Sequence, residues 1–330
     1  MYKLLYVLVS SEKDLYCEQC IVSILSAKRN SPNSKITLLV DDVTEKGVKS
    51  NSARNKIFNL VDECVSVPRP HGFSGMETSR FLKTSMRMHV KGDFLYIDSD
   101  TIVCSPLDDI EKVAFDLGGV PDQHMPLSQN SHAINFKRYI EKVSGTKAPA
   151  KYDTYFNSGV LWVRDVESNY KFFKDWNEVW LRAKDKGIRL DQPSLAYANY
   201  KNDFKIKQLD GIWNCQVWFG ANYLSMAKII HYFASVDNQI GGYGKFSVEM
   251  PQKIKSGEPL NENDWDLIQN ARNVFPSPNA IIAGADYEIF KSSLCGLLRA
   301  LYKRKRLFGF MEFMLYSFRV LRSKILFEKK

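Results

Sequence analysis

Apolar positions in the first hundred residues come in short unbroken runs, not in alternation. KLLYVLV (3–9), KITLLV (35–40), ECVSV (63–67) and DFLYID (93–98) read as strands. Continuous apolar character of this kind belongs to strands covered on both faces, as in parallel sheets. Between these runs lie segments with helical spacing: DLYCEQCIVSILSAK, a polar stretch after Asp41 and Asp42, and residues 76–90. SPNS (31–34) is a turn. Strand and helix in alternation predict an α/β architecture, a mostly parallel sheet with helices on both faces.

The same grammar continues in the middle of the chain. YFNSGVLWV (155–163) predicts a strand, followed by a helix whose Phe173, Trp176 and Trp180 form a core-facing stripe. LDQPSLAYANY (190–200) begins a helix, and FKIKQL (204–209) and KIIHYFA (228–234) read as strands. Residues 236–285 are rich in Gly, Pro, Asn and charge and predict an irregular extension. Residues 307–326 return to helical spacing, with Leu307, Met311, Met314, Phe318, Leu321 and Ile325 on one face.

Composition narrows the class. The 330 residues are 45% hydrophobic, enough for a sizeable core. No apolar run approaches the roughly 20 residues of a membrane-spanning helix. MYKLLYVLVS has one lysine and no small-residue cleavage site, so it predicts a buried strand, not a signal peptide. Of six cysteines only Cys17 and Cys20 form a CxxC. With no second pair, they predict buried thiols in a reducing cytoplasm and not a zinc site. The net charge of +9 lies entirely in residues 291–330, and the rest of the chain is neutral.

In sheets of this kind ligands bind outside the carboxyl ends of the strands. No GxGxxG follows the first strand and no GxxxxGK[ST] occurs, which argues against dehydrogenase-type dinucleotide folds and P-loop enzymes. FLYIDSDTIV (94–103) instead drives four apolar residues into Asp98 and Asp100. Read as a continuing strand, the two carboxylates project together; a capped turn leading to SPLDDI is the other reading. Paired hard oxygen ligands make half of a Mn²⁺ or Mg²⁺ site, and the cation cancels their repulsion. A second DxD, Asp264–Asp266, sits in a polar stretch and reads as a solvated turn or helix start. Of the five histidines (71, 89, 124, 132 and 231), His231 is the candidate third ligand, ending an apolar strand. The residues alone leave it open between ligand and core histidine. Arg80, Lys83, Thr84 and Arg87 share one helix face, either a cationic face for a diphosphate or a solvated basic one.

Taken in order, several motifs resemble glycosyltransferase family 8, retaining sugar-nucleotide transferases. They are Ser79-Arg80-Phe81-Leu82, Phe94-Leu95-Tyr96-Ile97-Asp98-Ser99-Asp100-Thr101, Tyr155-Phe156-Asn157-Ser158-Gly159-Val160, Asp191-Gln192-Pro193 and His231-Tyr232-Phe233. The resemblance spans roughly residues 1–235. It implies a GT-A fold, with a nucleotide-binding half at about 1–125 and an acceptor half at about 126–235. It implies Asp98, Asp100 and His231 as ligands of Mn²⁺ (or Mg²⁺), and Val9, Ser10, Tyr16, Arg80, Ser99, Asn157 and Ser158 as donor-binding residues. Asp191, Gln192 and Asn157 are implied at the reacting anomeric carbon, with Gln192 positioning the sugar. Three departures stand out, one being Pro193 after Asp191-Gln192, where an acidic residue is common in some members. Ser10 and Ser11 replace an acidic residue common at the end of the first strand. HYFASVDNQIGGYG (231–244) lacks the Gly and the Lys-Pro-Trp that many members carry after the histidine.

The implied activity is transfer of a hexose, galactose or glucose, from a UDP-sugar donor to a glycan or lipid-linked acceptor in cell-surface polysaccharide or lipopolysaccharide synthesis. A nucleotidyltransferase, a glycoside hydrolase and a non-catalytic sugar-nucleotide binder are the alternatives. Residues 286–330, KRKR (303–306) followed by the apolar stripe, predict a tail associating with an anionic membrane surface. A helix docked on the chain's own core is the other reading. Nucleic acid is not expected, because the aromatics follow a helix stripe and not an exposed strand platform. The expected location is cytoplasmic, peripheral on the inner face of the cell membrane.

Overall fold

A computed structural model of the chain describes residues 2–130, 133–146, 153–219, 222–234, 244–275 and 284–327. His132 and residues 235–243 and 276–283 lie outside the described residues. The chain divides into two units, residues 1–127 with 136–279, and residues 128–135 with 280–330.

The first unit is built on a mixed seven-stranded sheet. Its strands are β1 (Lys3–Leu8), β2 (Lys35–Asp41), β3 (Glu63–Val67), β4 (Phe94–Ile97), β6 (Leu117–Pro121), β7 (Phe156–Val163) and β8 (Lys207–Gln208). Their order is β3-β2-β1-β4-β7-β6-β8. Every neighbouring pair is parallel except those made by β7, which runs against β4 and β6. The reversal matters for the site. It brings the start of β7, Asn157-Ser158-Gly159, to the lip where β4 ends, and the Asp98 N–H donates to Gly159 O at 2.8 Å.

Helices cover both faces, as the apolar runs require. α1 (Tyr16–Asn30) packs on one side, and α2 (Asp42–Lys49) begins directly from Asp41, whose carboxylate caps it. α3 (Gly75–His89) starts with a Ser74/Glu77 capping box. It lies on the other side with α5 (Glu167–Asp185) and α6 (Gln192–Lys201), while α4 (Ala133–Ser144) buries Ile140 and Val143. Phe173, Trp176 and Trp180 are fully buried, as their spacing predicts. Cys17 and Cys20 are buried free thiols.

A small second sheet carries β5 (Thr101–Val103), β9 (Cys215–Gln216) and β10 (Ile229–His231) in the order β5-β10-β9. Its register sets His231 opposite Thr101.

Three local readings need correction. FKIKQL keeps only two strand residues, because Asp203 and Phe204 both turn through left-handed φ of 53°. The KIIHYFA strand stops at His231, since Phe233 takes φ 54°. Asp98 and Asp100 are not on a strand, because β4 ends at Ile97 and the chain bends before β5.

Residues 236–285, read from the sequence as an irregular extension, are in part helical: α7 (Met250–Ser256) and α8 (Glu262–Gln269) form there. Asn261 and Asp264 make the capping box of α8, and Asp264 is buried against Lys253 at 2.8 Å. That DxD is therefore a helix start.

The second unit carries α9 (Gly284–Lys291), α10 (Ser293–Tyr302) and α11 (Lys305–Phe327). Ser292 caps α10, and the Tyr302 and Phe308 rings meet edge-on at 5.0 Å.

Candidate active site

The Asp-Ser-Asp turn is shaped by hydroxyls. Thr101 Oγ1 donates to Asp98 O at 2.7 Å and is itself 3.0 Å from Ser23 Oγ, which lies 3.1 Å from Tyr6 OH. This buried ladder runs through β1 and α1 and closes the bend. The bend, not strand alternation, turns both carboxylates the same way. Ser99 hydrogen-bonds toward the Cys20 thiol. Asp98, Asp100 and His231 each offer one ligand atom, all within 4.8 Å of one another.

A chain of amides fixes the histidine's tautomer. Gly159 N–H donates to Asn157 Oδ1 at 2.9 Å, which settles the orientation of the Asn157 amide. Its Nδ2 then donates to Asp122 Oδ1 at 2.9 Å, while Asn214 Nδ2 donates to Asn157 Oδ1 at 3.0 Å. Asn214 Oδ1 therefore faces His231 Nδ1 at 3.1 Å and requires the proton there. Nε2 is left with its lone pair aimed at Asp100 Oδ1, 3.4 Å away. Two acceptors facing each other call for a cation between them, and a histidine oriented through its other nitrogen is the usual metal-ligand arrangement. The other Asp100 oxygen, Oδ2, accepts the Ala234 N–H at 3.0 Å. The residues thus fit a divalent cation.

His231 also dictates Gly159. A Cβ there would lie 2.4 Å from His231 Cε1 and 2.9 Å from Asn157 Oδ1. Phe233 stacks on the imidazole at 4.0 Å, and its left-handed backbone places the ring there.

Beside this cluster lies a second, cationic one. Arg80 Nε is 3.1 Å from Asp191 Oδ1, and Ser158 Oγ donates to Asp191 Oδ2 at 2.6 Å. Lys83 reaches both Asp98 oxygens, at 3.0 and 3.1 Å, and Asp191 Oδ2 at 3.4 Å. Burial works to raise the Asp191 carboxyl, yet Lys83 and Arg80 hold it well below the usual carboxylate range. Asp191 in turn raises the Arg80 guanidinium. The four-residue basic face thus splits. Thr84 accepts from Asn177 at 2.8 Å, and Arg87 is buried between the Phe94 and Tyr170 rings, with Asp165 at 3.5 Å and not the site's carboxylates as its ion-pair partner.

Asp122, at the end of β6, is a site residue that sequence reasoning missed. It accepts from Asn157 and from Gln192 Nε2 at 3.2 Å, and burial pushes its carboxyl up despite those bonds. The signal was LGGVPD (117–122), an apolar run ending in an acid like FLYID. His124 follows at a left-handed φ of 56°. Its Nε2 accepts from Gln216 N–H at 3.0 Å, and burial lowers its pKa to about 4, so the ring is neutral at pH 7.

Val9, Ser10 and Tyr16 form a separate cluster at the end of β1. Ser10 Oγ donates to Asp14 at 2.6 Å and its N–H to Thr44 Oγ1 at 3.1 Å. Tyr16 is exposed and donates its N–H to Asp14. Val9 packs near Gly75 at the start of α3. Among the described contacts, none ties these three to the metal-ligand group.

No family model matches the chain, and no curated protein matches it in sequence. Solved structures do. The galactosyltransferase LgtC, in complex with donor and acceptor sugar analogs, aligns with a TM-score of 0.50 and 14% identity over 81% of this chain and 99% of its own. An active-site mutant of LgtC aligns with a TM-score of 0.51 and 15% identity, over 81% of this chain and 99% of its own. The bifunctional glycosyltransferase WbbM in its apo form aligns with a TM-score of 0.50 and 16% identity, over 81% of this chain and 51% of its own. The chain therefore has the GT-A fold.

Proposed function

We propose that this chain is a metal-dependent retaining glycosyltransferase moving a hexose from a UDP-sugar to a glycan or lipid-linked acceptor in cell-surface glycan synthesis. The observation that carries the reading is the His231 lone pair facing Asp100 beside Asp98, with the tautomer set from Gly159 through Asn157 and Asn214. A bound Mn²⁺ or Mg²⁺ there supplies Lewis-acid stabilisation of a departing nucleoside diphosphate. Arg80, one-third exposed at its side chain, adds hydrogen bonds where that charge develops.

Both Asp191 oxygens are engaged by cations and Ser158, and its basicity is depressed. It is a poor nucleophile, and its role is to hold Arg80 and Ser158. Gln192, tethered to Asp122 and to Phe156 O, positions the sugar. Retention then follows from attack of the acceptor hydroxyl on the face the diphosphate leaves, with a phosphate oxygen taking its proton.

The basic charge concentrated at the end of the chain supports a peripheral, cytoplasmic association with an anionic membrane surface as part of this reading. Among the described residues no helix is long and apolar enough to cross a membrane.

The test is hydrolysis of a panel of nucleotide sugars with and without Mn²⁺, comparing wild type with Asp100→Ala. Release of UDP from one donor, abolished by chelation and by the substitution, is expected. Donor binding indifferent to metal and to the substitution, with no turnover, would overturn the reading in favour of a non-catalytic binder.

A further inference from the structure

Lys83 is 3% exposed, yet it points into the site and not into the core. Its ammonium sits 3.0 and 3.1 Å from the two Asp98 oxygens and 3.4 Å from Asp191, over the Tyr96 ring at 5.3 Å. The Tyr96 hydroxyl donates to Asp98 Oδ1, one of the two oxygens that Lys83 reaches. A buried lysine is tolerated only when paired, and here two carboxylates pair it. Resting on the metal reading above, we infer that Lys83 sets the metal affinity of the free protein, so that metal binds well only together with the donor's diphosphate.

The argument is a charge count in a confined space. Around Arg80 and Lys83, Asp98, Asp100 and Asp191 bring three negative charges and the two bases return two, with His231 neutral and Asp122 turned away to Asn157 and Gln192. The free site therefore offers a dication little net charge, and the Asp98 carboxylate it needs is shared with an ammonium. Like charges held on one carboxylate repel strongly where water is partly excluded. A nucleoside diphosphate carries the missing negative charge and relieves both cations. Metal and diphosphate then bind with positive coupling, and linkage makes the coupling reciprocal. Lys83 is thus a positioning residue. It keeps Asp98 and Asp191 in place without metal and ties metal loading to donor arrival.

The experiment titrates Mn²⁺ into the full chain, following loss of the free-ion paramagnetic resonance signal, with and without UDP. Wild type, Lys83→Met, Lys83→Gln and Lys83→Arg are compared, each checked for folding by thermal melting. UDP is expected to tighten Mn²⁺ on wild type by about tenfold or more, within the usual range of coupling between sites. Both neutral variants should bind Mn²⁺ alone about tenfold more tightly than wild type and lose most of the UDP effect, while Lys83→Arg stays near wild type. A lysine that merely propped the fold would give weaker Mn²⁺ binding in the neutral variants, and that result, or no change, overturns the inference. Wild-type Mn²⁺ affinity indifferent to UDP overturns it without any variant. Absence of Mn²⁺ binding in every form, with or without UDP, fails the metal site itself, a distinct outcome.

Discussion

At the residue scale the site is a set of commitments made by small groups. Gly159 is the tightest. Adding a methyl would force it into the His231 ring and the Asn157 amide at once. Gly159→Ala should cost about 1–3 kcal/mol in urea unfolding, the usual penalty for overpacking, and should abolish Mn²⁺-dependent donor hydrolysis. Asn214 is the link that holds the histidine's proton on Nδ1. Asn214→Leu should weaken Mn²⁺ about 10- to 100-fold, the range for lost ligand-orienting partners, read by the same titration in a folded protein. An unchanged affinity would mean the tautomer is set elsewhere. Asp191 gives a pH signature. Its folded carboxyl titrates below its ordinary value, so its ion pairs stabilise fully above about pH 4 and fade as pH falls below it. Arg80→Met raises that folded pKa. The variant should be less stable at pH 7 yet lose less stability between pH 5 and pH 3 than wild type, measured by urea midpoints.

At the element scale, the legible part was what burial enforces. Unbroken apolar runs gave β1, β2, β4 and β7, and the indole stripe gave the buried face of α5; β3 forms as expected but, as the edge strand, is not covered on both faces and stays half-buried to exposed. What periodicity could not see was β7 running backwards, because a strand buried on both faces reads the same in either direction. That reversal is why Asn157, Ser158 and Gly159 meet Asp98. Asp98 and Asp100 were found for a reason that does not hold: a hydroxyl-closed bend, not a strand, aligns them. Asp122 and the Lys83 bridge were hidden because each depends on a partner more than a dozen residues away. The loop after β1 was hidden for the same cause. Arg54, 2% exposed, pairs with the fully buried Glu18 at 2.6 Å. It also holds Ser11 O at 2.7 Å and Asp14 O at 2.8 Å, beside Ser10. Arg54→Met leaves Glu18 as an uncompensated buried charge, a loss of about 3–5 kcal/mol. Unfolding should show that loss. A cost under about 1 kcal/mol would mean water already reaches the pair.

At the scale of the whole molecule, charge is segregated: the chain is neutral except for its last forty residues, which carry the entire +9. The second unit adds apolar exposure to that charge. Leu307, Phe310, Phe313, Met314, Leu315, Tyr316, Phe318 and Leu321 on α11 are exposed, a broader surface than the single stripe the spacing predicts, and Leu294 and Leu297 extend it to α10. Exposed apolar surface of this extent is what an interaction site requires, and the basic run at 303–306 is why the proposed surface is an anionic one. Each basic residue near such a membrane contributes about 1 kcal/mol, screened by salt. The full chain should therefore sediment with vesicles containing phosphatidylglycerol and much less with neutral phosphatidylcholine. Reversing Lys303, Arg304, Lys305 and Arg306 to Glu removes at least about 4 kcal/mol, roughly a thousandfold in partition. The reversal should release the protein from vesicles while leaving Mn²⁺-dependent UDP release intact, because it touches none of Asp98, Asp100 and His231. Equal binding to neutral vesicles would assign the attraction to apolar contact alone. No binding to either would remove the membrane from the proposed function and leave the sugar chemistry standing on its own.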